Sequence, residues 1–387
     1  MAEKVENKRK NKKVIITVII ILVVCAAAIV TFTLLRNHYY DLMTYDPDNE
    51  LWGDQQASGL LTEFDETTGE DSPLSEIEKL EQELLDNAEA LQKINPISSD
   101  DVYNILLIGT DARKKEDRGR ADTIVLASIN TKEEKIFLTS FLRDIYVTIP
   151  GVGSNRLNAA YVYGGASLLI KTIEQNFGVK IDNYMKTDFF SFIDIIDSIG
   201  TVDLEVTAEE ISYMNRYIRE VNQLSGIDKK DGQLDEADAG LIEMNGKQAL
   251  AYARLRKVGS DFARTDRQRK VLMQVAKKLK KMSRGEQVKV LEDALPNVVT
   301  DIEEDEFKAM ILNSTEYMRY QIKCMTVPVN GSWKFVTING MAVIGIDFDK
   351  NIKAIEEWIY PPEKETTTTT TTAPTTVTTT IPVTTTK

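Results

Sequence analysis

Between Tyr252 and Lys270 the chain reads YARLRKVGSDFARTDRQRK, with seven Lys or Arg in nineteen positions against Asp261 and Asp266. Arg presents a planar fork of donors that fits phosphate oxygens two at a time. Arg254 and Arg256 are two apart, which puts both on one face of an extended arm. Arg264 and Gln268 are four apart and share one face of a helix. An arm followed by a helix start would bring four donors to one anion. A solvated basic helix end with local ion pairs is the plainer alternative. Upstream lies an acidic constellation, GTDAR at 109–113 and RADT at 120–123, set between two strand patterns. If those strands run antiparallel, Asp111 and Asp122 share a sheet edge, where α/β domains gather their ligand sites. Two carboxylates with no His or Cys nearby suit a hard ion, Mg2+ or Mn2+, that completes its shell with water and substrate phosphate. Arg113 and Arg120 flank them, and pairing of each Asp with its neighbouring Arg is the alternative. Ser140-Phe-Leu-Arg-Asp144 adds Arg143, a possible phosphate ligand, and Asp144, which would orient an arginine; the two could equally form a structural ion pair.

Composition removes other chemistries. The single His is His38 and the only Cys are Cys25 and Cys324, so a His-based triad and a structural zinc site are both excluded for the main domain. The net charge of −13 is uneven: +5 over residues 1–38, −15 over 39–100, zero over 361–387, leaving −3 for 101–360. A nearly neutral domain with local basic clustering is not a general nucleic-acid binder, which would be basic overall.

The elements that would position these residues read as follows. Residues 1–13 form a basic tail. Val14 to Leu35 carry no charge and as a helix reach ~33 Å, enough to span a bilayer. The basic residues before this run place the N-terminus in the cytoplasm and the rest outside. Residues 36–100 read as an acidic juxtamembrane spacer. Within it Ser75-Glu-Ile-Glu78 opens a helix to about Lys93, with Ile77, Leu80, Leu84, Ala88 and Leu91 on one stripe that either packs on the domain or forms a short coiled coil. From 101 to 360 strands alternate with helices: strands at 103–108, 123–129, 135–140, 201–206, 321–327 and 333–338, helices at 166–176, 188–199, 208–223, 264–282, 286–295, 303–318 and 349–359. That alternation predicts an α/β domain around an internal sheet. Arg156 and Asn158 precede Gly164-Gly165, which opens a helix whose N-terminus would favour an anion. Phe189, Phe192, Ile193 and Ile196 belong to a helix apolar nearly all round, either core or the wall of a lipid pocket. Residues 361–387 include fifteen Thr between 366 and 387 and read as an extended spacer.

GTDAR, RADT, LRD at 142–144, NAAYVYGG at 158–165, YARLR at 252–256 and DFARTDRQR at 261–269 together resemble the LytR-CpsA-Psr family of cell-wall phosphotransferases. The resemblance covers about 101–360 and implies a three-layer α/β/α domain with a central mixed sheet behind one transmembrane anchor. It implies transfer of a wall teichoic acid or capsular polysaccharide from a polyprenyl pyrophosphate carrier to peptidoglycan, outside the cell. By the same resemblance Asp111 and Asp122 hold Mg2+, Arg143, Arg254, Arg256, Arg264 and Gln268 surround the pyrophosphate, and Arg113 and Arg120 lie near it. Asp122 and Arg143 are the expected catalytic residues. A polyprenyl-phosphate-binding regulator and a lipid pyrophosphatase without glycan transfer are the other readings.

Overall fold

The computed structural model describes residues 39–47, 73–91, 95–112, 118–256 and 258–362. The apolar run 14–35, His38, Arg113, Lys257 and the Thr-rich tail lie outside them. In chain order the strands are β1 (Thr44–Tyr45), β2 (Val102–Thr110), β3 (Ala121–Asn130), β4 (Lys135–Phe141), β5 (Tyr146–Ile149), β6 (Gly153–Arg156), β7 (Asn183–Thr187), β8 (Val202–Val206), β9 (Gly240–Met244), β10 (Val299–Thr300), β11 (Gln321–Val327), β12 (Trp333–Ile338) and β13 (Met341–Ile346). The helices are α1 (Leu74–Leu91), α2 (Leu157–Phe177), α3 (Phe189–Ile199), α4 (Ala208–Leu224), α5 (Gly246–Ala253), α6 (Asp261–Lys281), α7 (Arg284–Ala294), α8 (Glu304–Tyr317) and α9 (Phe348–Ile359).

A seven-stranded mixed sheet in the order β1-β10-β7-β2-β3-β4-β11 forms the centre. The β2–β3–β4 meander is antiparallel, while β7 and β11 join it in parallel on either side. Side chains alternate across a strand, and β2 divides accordingly. Val102, Leu106 and Ile108 enter the main core with Leu80, Leu84, Leu169, Ile173, Ile355 and Ile359 from α1, α2 and α9. Tyr103, Ile105 and Leu107 face the other way, against Leu291, Leu295, Phe307 and Met310. Helices therefore cover both faces. Local signals set several helix ends: Asp188 caps α3 through the Ser191 amide, Thr207 and Glu210 form a reciprocal cap on α4, and Gly178 closes α2 with φ 66°.

Three expectations are corrected. Residues 39–47 are not a free spacer: Tyr39 and Met43 are buried in the domain, and β1 pairs with β10. Aromatic and apolar side chains within an acidic stretch have enough area to dock it. The α1 stripe packs on the domain, with Leu80 and Leu84 fully buried; the helix begins at Leu74, so Ser75 lies inside it. The Gly164-Gly165 pair, non-helical in backbone, does precede the helical segment expected from Ala166, but a first segment starting at Leu157, not expected, lies before it, and the pair is a break inside α2. No helix among the described residues is long and apolar enough to cross a membrane.

Candidate active site

A cavity of about 480 Å³ lies between the Leu107 side of the sheet and helices α3, α5 and α6. Its wall is chemically divided. Leu107, Val125 and Met185 from the sheet, Phe192, Ile195 and Ile196 from α3, and Val271, Leu272 and Val275 from α6 make most of it apolar. Asp111, Arg120, Asp122, Lys186, Asp188, Glu220, Arg254, Arg256, Arg264 and Gln268 supply the charged groups and an amide.

Strands β2 and β3 are antiparallel, and their pairing skips one residue. Gly109 faces Thr123 and Thr110 faces Ala121, so Asp122 is the extra residue of a β-bulge. A bulge bends the strand and re-aims a side chain; here it aims the carboxylate into the cavity. One Asp122 oxygen accepts from Arg143 Nη1 at 2.6 Å and the other from Arg256 Nη2 at 2.8 Å. Burial pushes the Asp122 carboxyl up, but the guanidinium groups of Arg143, Arg264 and Arg256 outweigh it and hold the group well below the usual carboxylate range. Asp111 has a different partner set. Its Oδ1 accepts from the Arg120 amide at 2.6 Å and its Oδ2 from Arg120 Nη2 at 2.8 Å. Gly119 allows this loop to close, because a Cβ there would sit 2.5 Å from the Ala112 amide nitrogen.

The arginines are not equivalent. Arg254 lies between two rings, 4.2 Å from the Phe189 centroid and 4.8 Å from that of Tyr217, and its Nη2 reaches Glu220 at 3.3 Å. Arg264 is only 2% exposed, and among the described residues its one ion pair is to Asp261 at 3.4 Å. Burial and the neighbouring Arg143 lower its pKa, so its charge is held at a cost. Arg254 Nη1 and Arg264 Nε and Nη1 are buried with no hydrogen-bond partner among the described residues. Unsatisfied buried donors are rare in folded proteins. All three lie on arginines that line this cavity.

Of the residues singled out from sequence, Asp111, Arg120, Asp122, Phe189, Phe192, Ile196, Arg254, Arg256, Arg264 and Gln268 all line this cavity. Arg143 stands behind Asp122, and its Nε donates to Asp144 at 3.3 Å. Arg113 lies outside the described residues. The extended arm is a correction: Arg254 ends helix α5, and Arg256 follows in a loop. Asn245 and Gln248 cap α5 reciprocally, a signal readable in the sequence. Ile193 is a second correction. It turns away from the cavity and packs with Phe189, Val221 and Leu250, while Ile195 takes its place in the wall. Arg156 donates to the Ala342 carbonyl at 2.6 Å and plays no part in the cavity. Arg267 ties α6 to Glu210 at 2.9 Å, and Arg269 bonds to Thr326 on β11. Lys186, Tyr217 and Glu220 were not anticipated. Lys186 belongs to β7, whose five residues NYMKT are too few and too mixed to stand out as a strand.

The LytR_cpsA_psr family model matches residues 67–356. The polyisoprenyl-teichoic acid–peptidoglycan teichoic acid transferase TagU of Oceanobacillus iheyensis is 32% identical over 250 residues, covering 61% of this chain and 71% of that protein. The TagT transferase of Bacillus subtilis is 33% identical over 187 residues, covering 47% of this chain and 54% of that protein, so the chain spans only about half of this second relative. A solved structure described as TagT bound to LIIa-WTA superposes with a TM-score of 0.53 at 23% identity, covering 67% of this chain and 90% of that one, and so shares the fold. A family match running from before α1 into α9 takes in the whole arginine and aspartate set, and by it the chain belongs to the LytR_cpsA_psr family.

Proposed function

We propose that this protein is a membrane-anchored phosphotransferase that moves a glycopolymer of wall teichoic acid or capsular type from a polyprenyl pyrophosphate carrier to peptidoglycan outside the cell. The observation that carries this reading is the set of unpartnered guanidinium donors on Arg254 and Arg264 at the charged part of an otherwise apolar cavity. A polyprenyl diphosphate has that same division, two phosphates on a long hydrocarbon. The relatives' transferase names and the TagT structure with LIIa-WTA point the same way.

The anchor is assigned from Val14 to Leu35, with the N-terminus cytoplasmic. Tyr39 follows four residues later and packs with Met43 against Ile105, in the cluster that also touches Leu107 and Met185 of the cavity wall. On this assignment the apolar wall would lie next to the chain's exit from the bilayer, where a lipid tail would enter.

Among the described residues no cluster of three or more His, Cys, Asp or Glu could hold a metal alone. Asp111 and Asp122 fit an ion shared with substrate. Both line the cavity, the donor set is all oxygen, and each Asp122 oxygen accepts a single protein hydrogen bond, leaving further acceptor capacity. Asp111 and Asp122 would hold Mg2+, which when bound neutralises charge on phosphoryl oxygens.

In the reaction a sugar hydroxyl attacks the glycan-side phosphorus, the bond to the lipid phosphate breaks, and a phosphodiester forms. Phosphoryl transfer depends on positioning and charge neutralisation more than on covalent help. Arg254 and Arg264 would grip the diphosphate with the donors now unpaired, and Arg143 and Arg256 fix Asp122 beside it. Asp122 is a weak proton acceptor because three guanidinium groups stabilise its ionised form. The departing phosphate, with a second pKa of about 6, can take the proton instead.

The test is incubation of the purified protein with lipid-linked glycan, Mg2+ and peptidoglycan. A glycan–peptidoglycan phosphodiester is the expected product. Release of lipid phosphate alone would make the protein a pyrophosphatase, and binding without turnover would make it a regulator.

A further inference from the structure

Arg254, Arg256 and Arg264 are held in place by different means. Arg256 is fixed by charge, its Nη2 on Asp122 at 2.8 Å. Arg264 is fixed by packing, 2% exposed near the start of α6. For Arg254 the carboxylate contact is loose: both Glu220 oxygens lie on one nitrogen, Nη2, at 3.3 and 3.4 Å, long for a charge-assisted hydrogen bond. What sets the plane of its guanidinium is a pair of rings, Phe189 from α3 at 4.2 Å and Tyr217 from α4 at 4.8 Å. A guanidinium is flat and weakly hydrated, and the electron-rich face of a ring attracts its charge. Rings cover the faces of the group and leave its edges for hydrogen bonds. Of those edges Glu220 meets Nη2, while Nη1 is buried with no partner among the described residues. Burying a charge is costly unless its donors are met. A stack that is complete on the faces and open at one edge is therefore matched to an anion that arrives from outside the chain.

Helix α4 presents the Tyr217 ring from a fixed frame. Glu210, Met214, Tyr217 and Val221 recur at intervals of three and four and so share one side of the helix. Met214 is fully buried, Tyr217 packs against the cluster of Ile211, Met214, Ile218 and Tyr252, and Val221 packs with Phe189 and Leu250. At the first turn Glu210 accepts from the Thr207 amide at 3.0 Å and from Arg267 Nε of α6 at 2.9 Å. Arg267 in turn donates to the carbonyls of Leu255 and Val258, at 3.2 and 2.5 Å, on either side of Arg256. One helix is thus tied both to the loop that carries Arg256 and to the side chain of Arg254.

We propose that Tyr217 is a positioning residue of the diphosphate site: with Phe189 it holds the Arg254 guanidinium in the plane that keeps Nη1 ready for a phosphate oxygen. The inference rests on the diphosphate reading of the cavity, and on no later step of the transfer.

The test is calorimetric titration of the full chain in detergent with inorganic pyrophosphate, a probe that leaves the apolar wall out of the measurement. Wild-type protein is expected to bind it saturably. Tyr217→Leu fills the space without a ring and is expected to weaken binding about fivefold, the scale of re-ordering one long side chain at a contact. Tyr217→Phe restores the ring and should bind within about twofold of wild type. The stoichiometry should stay the same in all three, which separates lost affinity from lost folded protein. In an Arg254→Met background Tyr217→Leu should cost nothing further, because the ring acts through that guanidinium. Wild-type affinity in Tyr217→Leu overturns the proposal, as does a Phe variant as weak as the Leu variant, or a further loss in the Arg254→Met background. The two readings fail separately. If pyrophosphate binds wild type and Tyr217→Leu equally, the positioning role falls and the diphosphate site stands. If wild-type protein binds no pyrophosphate, the diphosphate reading falls and takes the positioning role with it.

Discussion

Replacing Arg264 with Met should make the free protein more stable and blind to diphosphate. Arg264 is 2% exposed, and its Nε and Nη1 have no partner among the described residues. Each buried donor left unsatisfied costs about 1–3 kcal/mol. Repulsion from Arg143 adds to that cost, as the lowered pKa of Arg264 reflects after burial is counted. Against it stands the pairing with Asp261 at 3.4 Å and the attraction to Asp122. Asp122 keeps Arg143 at 2.6 Å and Arg256 at 2.8 Å when Arg264 is gone. Met fills similar space without a charge to desolvate. The balance is a gain of about 2 kcal/mol, which for a domain of this size raises Tm by about 3 °C. Thermal unfolding with and without inorganic pyrophosphate reads both effects. At a hundred times Kd the anion should stabilise wild-type protein by about 2.7 kcal/mol and Arg264→Met hardly at all. A variant that melts below wild type without anion would show that the guanidinium is a structural tie, and the account of poised donors would be wrong. A full pyrophosphate shift in the variant would remove the cluster from the site.

Lys186 carries the clearest pH dependence. Burial pushes it down to about 8, with Asp188 and Asp46 opposing and Arg118 adding, against about 10.4 in an unfolded chain. Between those values the unfolded chain holds a proton that the folded one has lost, so this residue makes stability rise with pH across that window. Lys186→Met should remove that rise and should be the more stable protein below pH 8, by up to about 3 kcal/mol; parallel denaturation curves for the two proteins at pH 7 and 10 check it. Ile195→Asp, which sets a charge in the apolar wall, should weaken a long polyprenyl diphosphate at least about tenfold while leaving inorganic pyrophosphate unaffected. Equal losses for both ligands would mean that the wall does not hold the tail. Gly246→Ala should cost about 2–3 kcal/mol, because its Cβ would lie 2.3 Å from the Ile193 carbonyl oxygen where α5 meets α3. A melting temperature unchanged from wild type would show that these two helices can separate freely.

The chemistry was legible in the sequence wherever charge had to be collected, and illegible wherever geometry decided direction. Asp111, Asp122, Arg254, Arg256, Arg264 and Gln268 could be picked out because a nearly neutral domain concentrates few charges without a reason, and all six reach one cavity. Their partners could not be read. Asp122 points into the cavity because β3 bulges there, and a bulge leaves no mark in residue type. Within α6 Arg264 reaches the cavity, Arg267 turns to Glu210 and Arg269 to β11; helical spacing separates these faces, but only the neighbouring elements say which face meets which. The strands that failed to register, β1, β5, β6, β7, β9, β10 and β13, are six residues or fewer. Such segments earn their pairing from the sheet or hairpin they join rather than from their own pattern.

This division follows from how the site is built. Asp122 comes from the middle of the sheet, Arg254 from the end of α5 and Arg264 from the start of α6, so no local segment contains the proposed anion site. Each group alone is better explained as a surface pair. Only after folding do Arg143 and Arg256 satisfy Asp122 while Arg254 and Arg264 retain unpaired donors. Had every guanidinium been matched to a carboxylate, the same residues would amount to an ion-pair network with no need of a ligand. The shortfall of acceptors is therefore what the proposed diphosphate site rests on. It cannot be counted along the chain, because Glu220 and Asp261, which complete the local pairing, also sit on helices whose facing is set by the fold.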